Sequence, residues 1–376
     1  MNTVPATRRK VFHIFADYPH HSVRMIDFLS EVEAVLKNST FFVAASDEQT
    51  RQRYAAITGV NIVFYEKFKD QIEELYKDPD AVFVFHSLFD YEQWLQINTR
   101  KIIQRSVWVS WGADIYKHLA KAPANEPFKW KVKRYLLLWL KRFSMKKLRA
   151  IIALNQGDAD VIERTFWARG LVSVLRYPLD DSTYDYAEPK ATSNAQETPT
   201  YDVFCGNSAD PSNNHIQMLE ALAHLDTVRI HMPLNYGGDD AYVETVCAKG
   251  KSLFGDRFKP ILSFMQKDDY DNLLARMDVG VFFHDRQQGL YVAFTFLLHG
   301  KPMYIREAVS SYQEFLQLGM HVGNADLIAE TQAREFAELP ASVAKSNAEI
   351  ARRTFTIEPV KQDWIRFLND LTAEKP

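Results

Sequence analysis

The sequence predicts an α/β protein built as two consecutive doubly wound domains, and three observations carry that prediction. Short apolar, β-prone runs alternate with segments of helical periodicity along most of the chain, the pattern of parallel strands covered by helices. A polar stretch without periodicity, Asp180 to Thr200 (DDSTYDYAEPKATSNAQETPT), interrupts the alternation near mid-chain. The alternation then restarts and continues almost to the C-terminus.

Taken in order, Lys10 to Phe15 (KVFHIF) reads as a first strand and Ala16 to His21 (ADYPHH) as its loop. Val23 to Leu36 follows as a helix, with Met25, Ile26, Leu29, Val32 and Leu36 on one side. Phe41 to Ala45, Asn61 to Tyr65, and Ala81 to His86 (AVFVFH) read as strands. The last is nearly all apolar, as a strand buried on both faces must be. Val107 to Trp111 (VWVSW), Ala150 to Leu154 and Val172 to Tyr177 complete the first set. After the polar stretch come Tyr201–Cys205, Val228–Met232, Pro260–Phe264, Val279–His284 and Pro302–Ile305, then a helix over Val360 to Leu371. The expected division is 1–180, a linker over 181–200, 201–350, and a C-terminal helical segment 351–376. Two Rossmann-like domains joined by one linker around a cleft is the GT-B arrangement, though other paired Rossmann-like arrangements fit the same periodicity. A chain of 376 residues, 47% hydrophobic, is long enough for each domain to bury its own core.

Composition narrows the function classes. A formal net charge of −3 gives no overall basic field for nucleic acid. Cys205 and Cys247 are the two cysteines, too few for a disulfide framework and in keeping with a reducing compartment. No C-x-x-C or H-E-x-x-H spacing occurs, so no metal is expected. The stretch MNTVPATRRK passes directly into VFHIFADYPHH without a signal-peptide core, and no run approaches a bilayer span. A soluble or peripheral protein is the expectation.

In open α/β sheets ligands sit beyond the strand C-termini. That rule draws attention to His20, His21, His86 and Asp114 in the first domain, as acid–base candidates or as hydrogen-bonded loop residues. In the second domain it draws attention to the loop CGNSADPSNNHI. Gly206 lets a ligand approach the backbone. Asn207, Ser208, Asp210, Ser212 and Asn213 crowd the start of a helix that continues through His215. Unpaired N–H groups there suit a phosphate; the same residues also suit an ordinary polar N-cap at Ser212 or Asn213. The loop DRQQG follows the strand ending at His284. Arg286 can pair with a phosphate through its planar fork or form a salt bridge with Asp285 or Glu307. Gln287 and Gln288 can read polar edges, and Gly289 permits close approach. Glu307 can accept from a ribose diol or serve as a helix N-terminal acid, and Tyr236 can stack on a base or simply pack.

One helix stands apart. Phe128 to Ala150 (FKWKVKRYLLLWLKRFSMKKLRA) holds nine Lys or Arg, no acid, and interleaved Trp130, Tyr135, Trp139 and Phe143. Docking on an anionic membrane would use Lys129, Trp130, Lys133, Arg134, Trp139, Lys141 and Arg142. A core helix with a solvated basic face, or a nucleic-acid surface, are the other readings; the lack of a basic field over the chain as a whole argues against nucleic acid.

The segments YPHH (18–21), HSLFDYEQWL (86–95), WGADIY (111–116), CGNSADPSNNHI (205–216), DRQQG (285–289) and IREA (305–308) resemble the motif blocks of glycosyltransferase family 56. The resemblance spans residues 18 to about 308. It departs from the family pattern at the bulky Leu290, Tyr291, Val292 and Phe294 and at the turn Asn235–Gly238. What it implies is a GT-B transferase that moves a deoxy-amino sugar of the Fuc4NAc (4-acetamido-4,6-dideoxygalactose) type. The donor would be a dTDP-sugar and the acceptor an undecaprenyl-diphosphate-linked saccharide, as in enterobacterial common antigen assembly at the cytoplasmic face of the inner membrane. The second domain would bind the nucleotide sugar and the first would face acceptor and membrane, with no metal and no cofactor. A transferase using another nucleotide sugar, a non-catalytic nucleotide- or saccharide-binding protein and an epimerase of the same fold are the competing expectations.

Overall fold

The computed structural model describes residues 9–15, 18–44, 47–65, 75–88, 102–116, 119, 127–168, 171–179 and 200–373, without the side chains of Pro19 and His20. The expected linker, apart from Thr200, and residues 89–95 of the HSLFDYEQWL block lie outside these residues. The chain divides into two compact units, one of residues 1–178 and 357–376 and the other of residues 179–356.

The first unit is built on a seven-stranded sheet in the order β3-β2-β1-β4-β5-β6-β7. Its strands are β1 (Val11–Phe15), β2 (Ser39–Ala44), β3 (Ile62–Tyr65), β4 (Val82–His86), β5 (Ser106–Val109), β6 (Ala150–Ala153) and β7 (Leu171–Val174). All pairings are parallel; Phe15 at the end of β1 stands opposite Val43 on one side and His86 on the other. β1, β4, β5 and β6 are buried at every position, which is why their sequences are continuous apolar runs. The order reverses between β1 and β4, which leaves a switch point at their C-terminal ends.

The second unit has a six-stranded sheet in the order β10-β9-β8-β11-β12-β13. Its strands are β8 (Tyr201–Cys205), β9 (Val228–Pro233), β10 (Phe258–Ile261), β11 (Val279–Phe282), β12 (Met303–Ile305) and β13 (Gly323–Asn324). These pairings are also parallel, and the reversal falls between β8 and β11. The two-residue β13 has no periodicity to announce it and was not expected.

The C-terminal segment 351–376 does not stand apart. The helix Ala341–Phe355 and its C-cap Thr356 belong to the second unit, and the chain returns to the first unit as the helix Ile357–Thr372. Val360, Trp364, Phe367, Leu368 and Leu371 join one core with Met25, Ile26, Leu29 and Val32 of the helix Pro19–Leu36. Each large side chain fully buried there contributes roughly 1.5–3 kcal/mol. Pro19 opens that first helix, whose start therefore precedes the expected Val23.

The switch point of the first sheet is filled rather than open. His86 is fully buried, its ring stacked on Phe15 at 3.9 Å, and its Nε2 lies 2.9 Å from His13 Nδ1. Burial pushes His13 down to about 3, and burial with the neighbouring His13 pushes His86 below its ordinary value. The unfolded chain takes up protons near pH 6.5, while the folded chain resists until far lower. The stability these neutral rings contribute is therefore complete above about pH 6.5 and is lost as pH falls toward the folded values, at up to about 1.4 kcal/mol per pH unit per histidine. His215 and His284, pushed down to about 4 and about 3 by burial, act with the same sign. Thermal melts are expected to fall steadily between pH 6.5 and 4.5; a constant midpoint over that range would contradict neutral buried imidazoles.

Candidate functional site

At the switch point of the second sheet the loops after β8, β9 and β11 form one hydrogen-bonded cluster. Gly206 ends β8 in the left-handed region at φ +76°, and a Cβ there would lie 2.9 Å from Asn213 Oδ1, so this turn needs glycine. Asp210 caps the short turn Pro211–Asn213, accepting from Ser212 N at 2.9 Å and Ser212 Oγ at 2.6 Å. The helix proper begins at His215, so neither Ser212 nor Asn213 is its N-cap; Asn214 is, at φ 53° and without a side-chain cap bond. Asn214 instead ties the loops together, its Nδ2 donating to Phe283 O at 2.9 Å and Asp285 Oδ1 at 2.8 Å. Asp285 N donates to Ser212 O at 3.0 Å, and Gln288 Nε2 donates to Ser212 Oγ at 3.1 Å.

This bonding corrects the expected phosphate cradle. The N–H of Asn207 donates to Asn213 Oδ1, that of Ala209 to Tyr236 O, and that of Asp210 to Ser208 Oγ. Those backbone donors are spent inside the protein. Ser208, Asn213, His215 and Gln287 are buried. His215 bridges Ser208 O at 2.9 Å and Tyr242 OH at 3.0 Å, a bracing role. The groups that face outward are side chains: half-buried Asn207, Asp210, Ser212, Arg286 and Gln288, and the exposed Tyr236 and Glu307. Arg286 meets Asp210 Oδ2 at 3.5 Å, not the anticipated Asp285 or Glu307. Asp285 is engaged by Arg306 at 3.2 Å, and Glu307 Oε2 accepts from Asn324 Nδ2 at 3.3 Å. The Tyr236 hydroxyl donates to Asn207 O at 3.0 Å, which holds its ring at the mouth of the cluster. A guanidinium, two amide side chains and an exposed ring thus stand where an open α/β sheet binds its ligand, with the exposed Glu307 carboxylate just past the neighbouring β12.

In the first unit the expected acid–base candidates part company. Asp114 is fully buried, and its carboxylate accepts from Trp108 Nε1 at 2.7 Å, Trp111 N at 2.9 Å and Leu88 N at 3.1 Å. Burial raises its pKa, opposed by Lys141 and these donors. A carboxylate so enclosed ties the loops after β4 and β5 together and has no path to an acceptor hydroxyl, so its expected role as a base is withdrawn. His86 is withdrawn for the same reason. The side chain of His20 lies outside the described residues. His21 is exposed in the first turn of its helix, its ring 5.5 Å from that of Trp111.

The basic helix runs over Phe128–Met145, and Ala150 already belongs to β6. Lys141 is buried, its Nζ donating to Asp114 O at 2.9 Å and lying over the rings of Trp108 and Phe166. Arg142 donates through Nε to Thr165 O at 2.8 Å. These two anchor the helix to its own unit and leave the membrane-facing set expected from sequence. The N-terminal half is exposed on nearly every side, with Phe128, Trp130, Val132, Tyr135 and Leu136 all in solvent beside Lys129, Lys131 and Lys133. Among the described residues no helix is long and apolar enough to cross a membrane, and no group of three His, Cys, Asp or Glu is placed to hold a metal ion.

Two doubly wound parallel-sheet units in succession define a protein of the GT-B class. The family described as 4-alpha-L-fucosyltransferase glycosyl transferase group 56 matches residues 8–371, and the chain belongs to that family; it is a glycosyltransferase. Among solved structures it resembles a glycosyltransferase from Rickettsia africae, with a TM-score of 0.68 at 8% identity over 98% of this chain and 100% of the other. It also resembles sucrose-phosphate synthase from Thermosynechococcus elongatus, with a TM-score of 0.67 at 12% identity over 96% and 99%. HepE from Anabaena, solved in complex with UDP and glucose, gives a TM-score of 0.64 at 16% identity over 96% and 99%. At such identities the likeness is one of fold.

Proposed function

We propose that the protein transfers a 4-acetamido-4,6-dideoxygalactose-like sugar from a dTDP donor to an undecaprenyl-diphosphate-linked saccharide, as a peripheral protein at the cytoplasmic face of the inner membrane. The observation that carries the donor half is Arg286, presented by Asp210 among outward amide side chains at the switch point of the second sheet. As the glycosidic bond breaks, the departing nucleoside diphosphate gains negative charge. Arg286 meets it with a planar fork, and Asn207 and Gln288 add neutral donors. Tyr236 offers a ring face to the base, and Glu307 an acceptor to the ribose hydroxyls. On the acceptor side His21 is the candidate base, an exposed imidazole in the first turn of the helix Pro19–Leu36. No metal is assigned a role, and chelator is expected to leave turnover unchanged. HepE, bound to UDP-glucose in its own structure, favours one second reading: a UDP-sugar in place of the dTDP-sugar. Calorimetric titration with dTDP, UDP and GDP separates the two. Preferential binding of dTDP supports the first, and preference for UDP the second.

The membrane half rests on the exposed aromatic and cationic part of the helix Phe128–Met145. Each cation near an anionic surface contributes about 1 kcal/mol, and Trp and Phe rings suit the headgroup level. Replacing Lys129, Lys133 and Arg134 together by alanine is expected to weaken binding to phosphatidylglycerol vesicles by about 100-fold. Equal binding of the wild-type protein to neutral and anionic vesicles would remove this half of the reading.

A further inference from the structure

The loop cluster contains two buried side-chain atoms that meet nothing, an imidazole nitrogen and an amide oxygen. His284 is 2% exposed and its Nε2 has no partner; Asn207 Oδ1 is likewise buried and unpartnered. Buried polar atoms are nearly always paired, so two orphans in one cluster require a reason. They are close neighbours of one point. A Cβ on Gly289 would lie 3.1 Å from Asn207 Cβ, 3.2 Å from Asn207 Cγ and 3.3 Å from His284 Cε1. Gly289 sits in the left-handed region at φ +66°, at the joint between the DRQQG loop and the helix Leu290–Leu298, where backbone rotation is cheapest. Asn207 is otherwise fixed, its N–H on Asn213 Oδ1 at 3.2 Å and its carbonyl accepting from Tyr236 OH at 3.0 Å.

We infer that His284 is a positioning residue of the donor site: when a nucleoside diphosphate binds, its Nε2–H donates to Asn207 Oδ1 and holds the Asn207 amide with its NH2 turned toward the ligand. The inference rests on the donor-site reading above. The pairing uses the complementary orphans that lie against Gly289. It gives Asn207, whose Oδ1 is enclosed, a defined amide orientation. His284 serves as a neutral ring: burial, with the charge of Arg286 beside it, pushes it down to about 3, so Arg286 remains the cation of the loop. Sequence reading passed over this residue because it closes an apolar run and looks like the last residue of a strand.

The test is a double-mutant cycle read by calorimetric titration with dTDP, with UDP as the second probe. His284→Phe and Asn207→Ala are each expected to weaken binding by about 10-fold, and the double variant by about the same 10-fold. His284→Gln, whose amide can donate from a similar place, is expected to recover affinity to within about threefold of wild type. In ¹⁵N spectra the His284 ring is expected as the neutral Nε2–H tautomer, with its proton shifted downfield on addition of dTDP. Additive losses of about 100-fold in the double variant would overturn the inference. So would unchanged affinity in a folded His284→Phe protein, or a His284 resonance indifferent to dTDP. Should His284→Phe fail to fold, the glutamine variant and the wild-type spectra decide alone. Wild-type protein that binds neither dTDP nor UDP would overturn the donor-site reading itself, a result distinct from binding without coupling.

Discussion

Arg286→Ala is expected to lower turnover by about 100- to 1000-fold, the range seen when one preorganised charge-stabilising donor is removed from an active site. The loss should fall mainly on kcat, because the leaving-group charge that the proposed donor site assigns to Arg286 is largest when the sugar–phosphate bond is breaking. Stability should scarcely change. The contact with Asp210 is 3.5 Å long and partly solvent-exposed, and such pairs contribute about 0–1 kcal/mol. Arg286→Lys keeps a cation but loses the fork, so an intermediate rate is expected. Steady-state kinetics beside a thermal melt checks both parts. A variant with wild-type turnover would take the diphosphate away from this loop.

Asp114→Ala is expected to destabilise the first unit by about 3–5 kcal/mol, the usual consequence of removing one member of a buried charged network. Three donors lose their acceptor at once: Trp108 Nε1–H and the N–H groups of Leu88 and Trp111. Lys141 keeps its bond to the carbonyl of residue 114 but loses the opposing charge of the carboxylate. The melting midpoint should fall on the order of 10 °C. Activity should fall with the folded fraction and not beyond it. A variant that melts like wild type yet loses turnover would return Asp114 to the chemistry.

The paired-sheet architecture could be read from the chain because buried parallel strands leave continuous apolar runs such as VFVFH and VGVFF. The return of the last helix to the first unit could not. Trp364 and Phe367 define an apolar face, but periodicity does not say which core receives it. The place of the loop cluster in the sheet followed from strand ends and the polar residues after them. Its internal wiring did not. Whether Arg286 pairs with Asp285, Glu307 or Asp210 depends on how neighbouring loops cross at β8 and β11, which spacing leaves open. Asp114 and Lys141 were misread for a common reason. A charged residue beside Gly and Ala, or within a basic run, looks accessible in one dimension, yet both are enclosed by Trp108 and its neighbours. His284, proposed to position Asn207, closes the apolar run VGVFFH and so reads in one dimension as the end of a strand.

The central claim, transfer from a dTDP-linked deoxy-amino sugar to a lipid diphosphate-linked saccharide, is tested most directly by reconstitution. Purified protein would be mixed with the dTDP-sugar and the lipid-linked acceptor in phosphatidylglycerol vesicles. Both products would be followed by mass spectrometry. The account predicts one dTDP released for each acceptor extended by one 4-acetamido-4,6-dideoxyhexose residue, with no product when the lipid-linked acceptor is left out. Extension from a UDP-sugar alone, or consumption of the donor without any extended lipid, would contradict it.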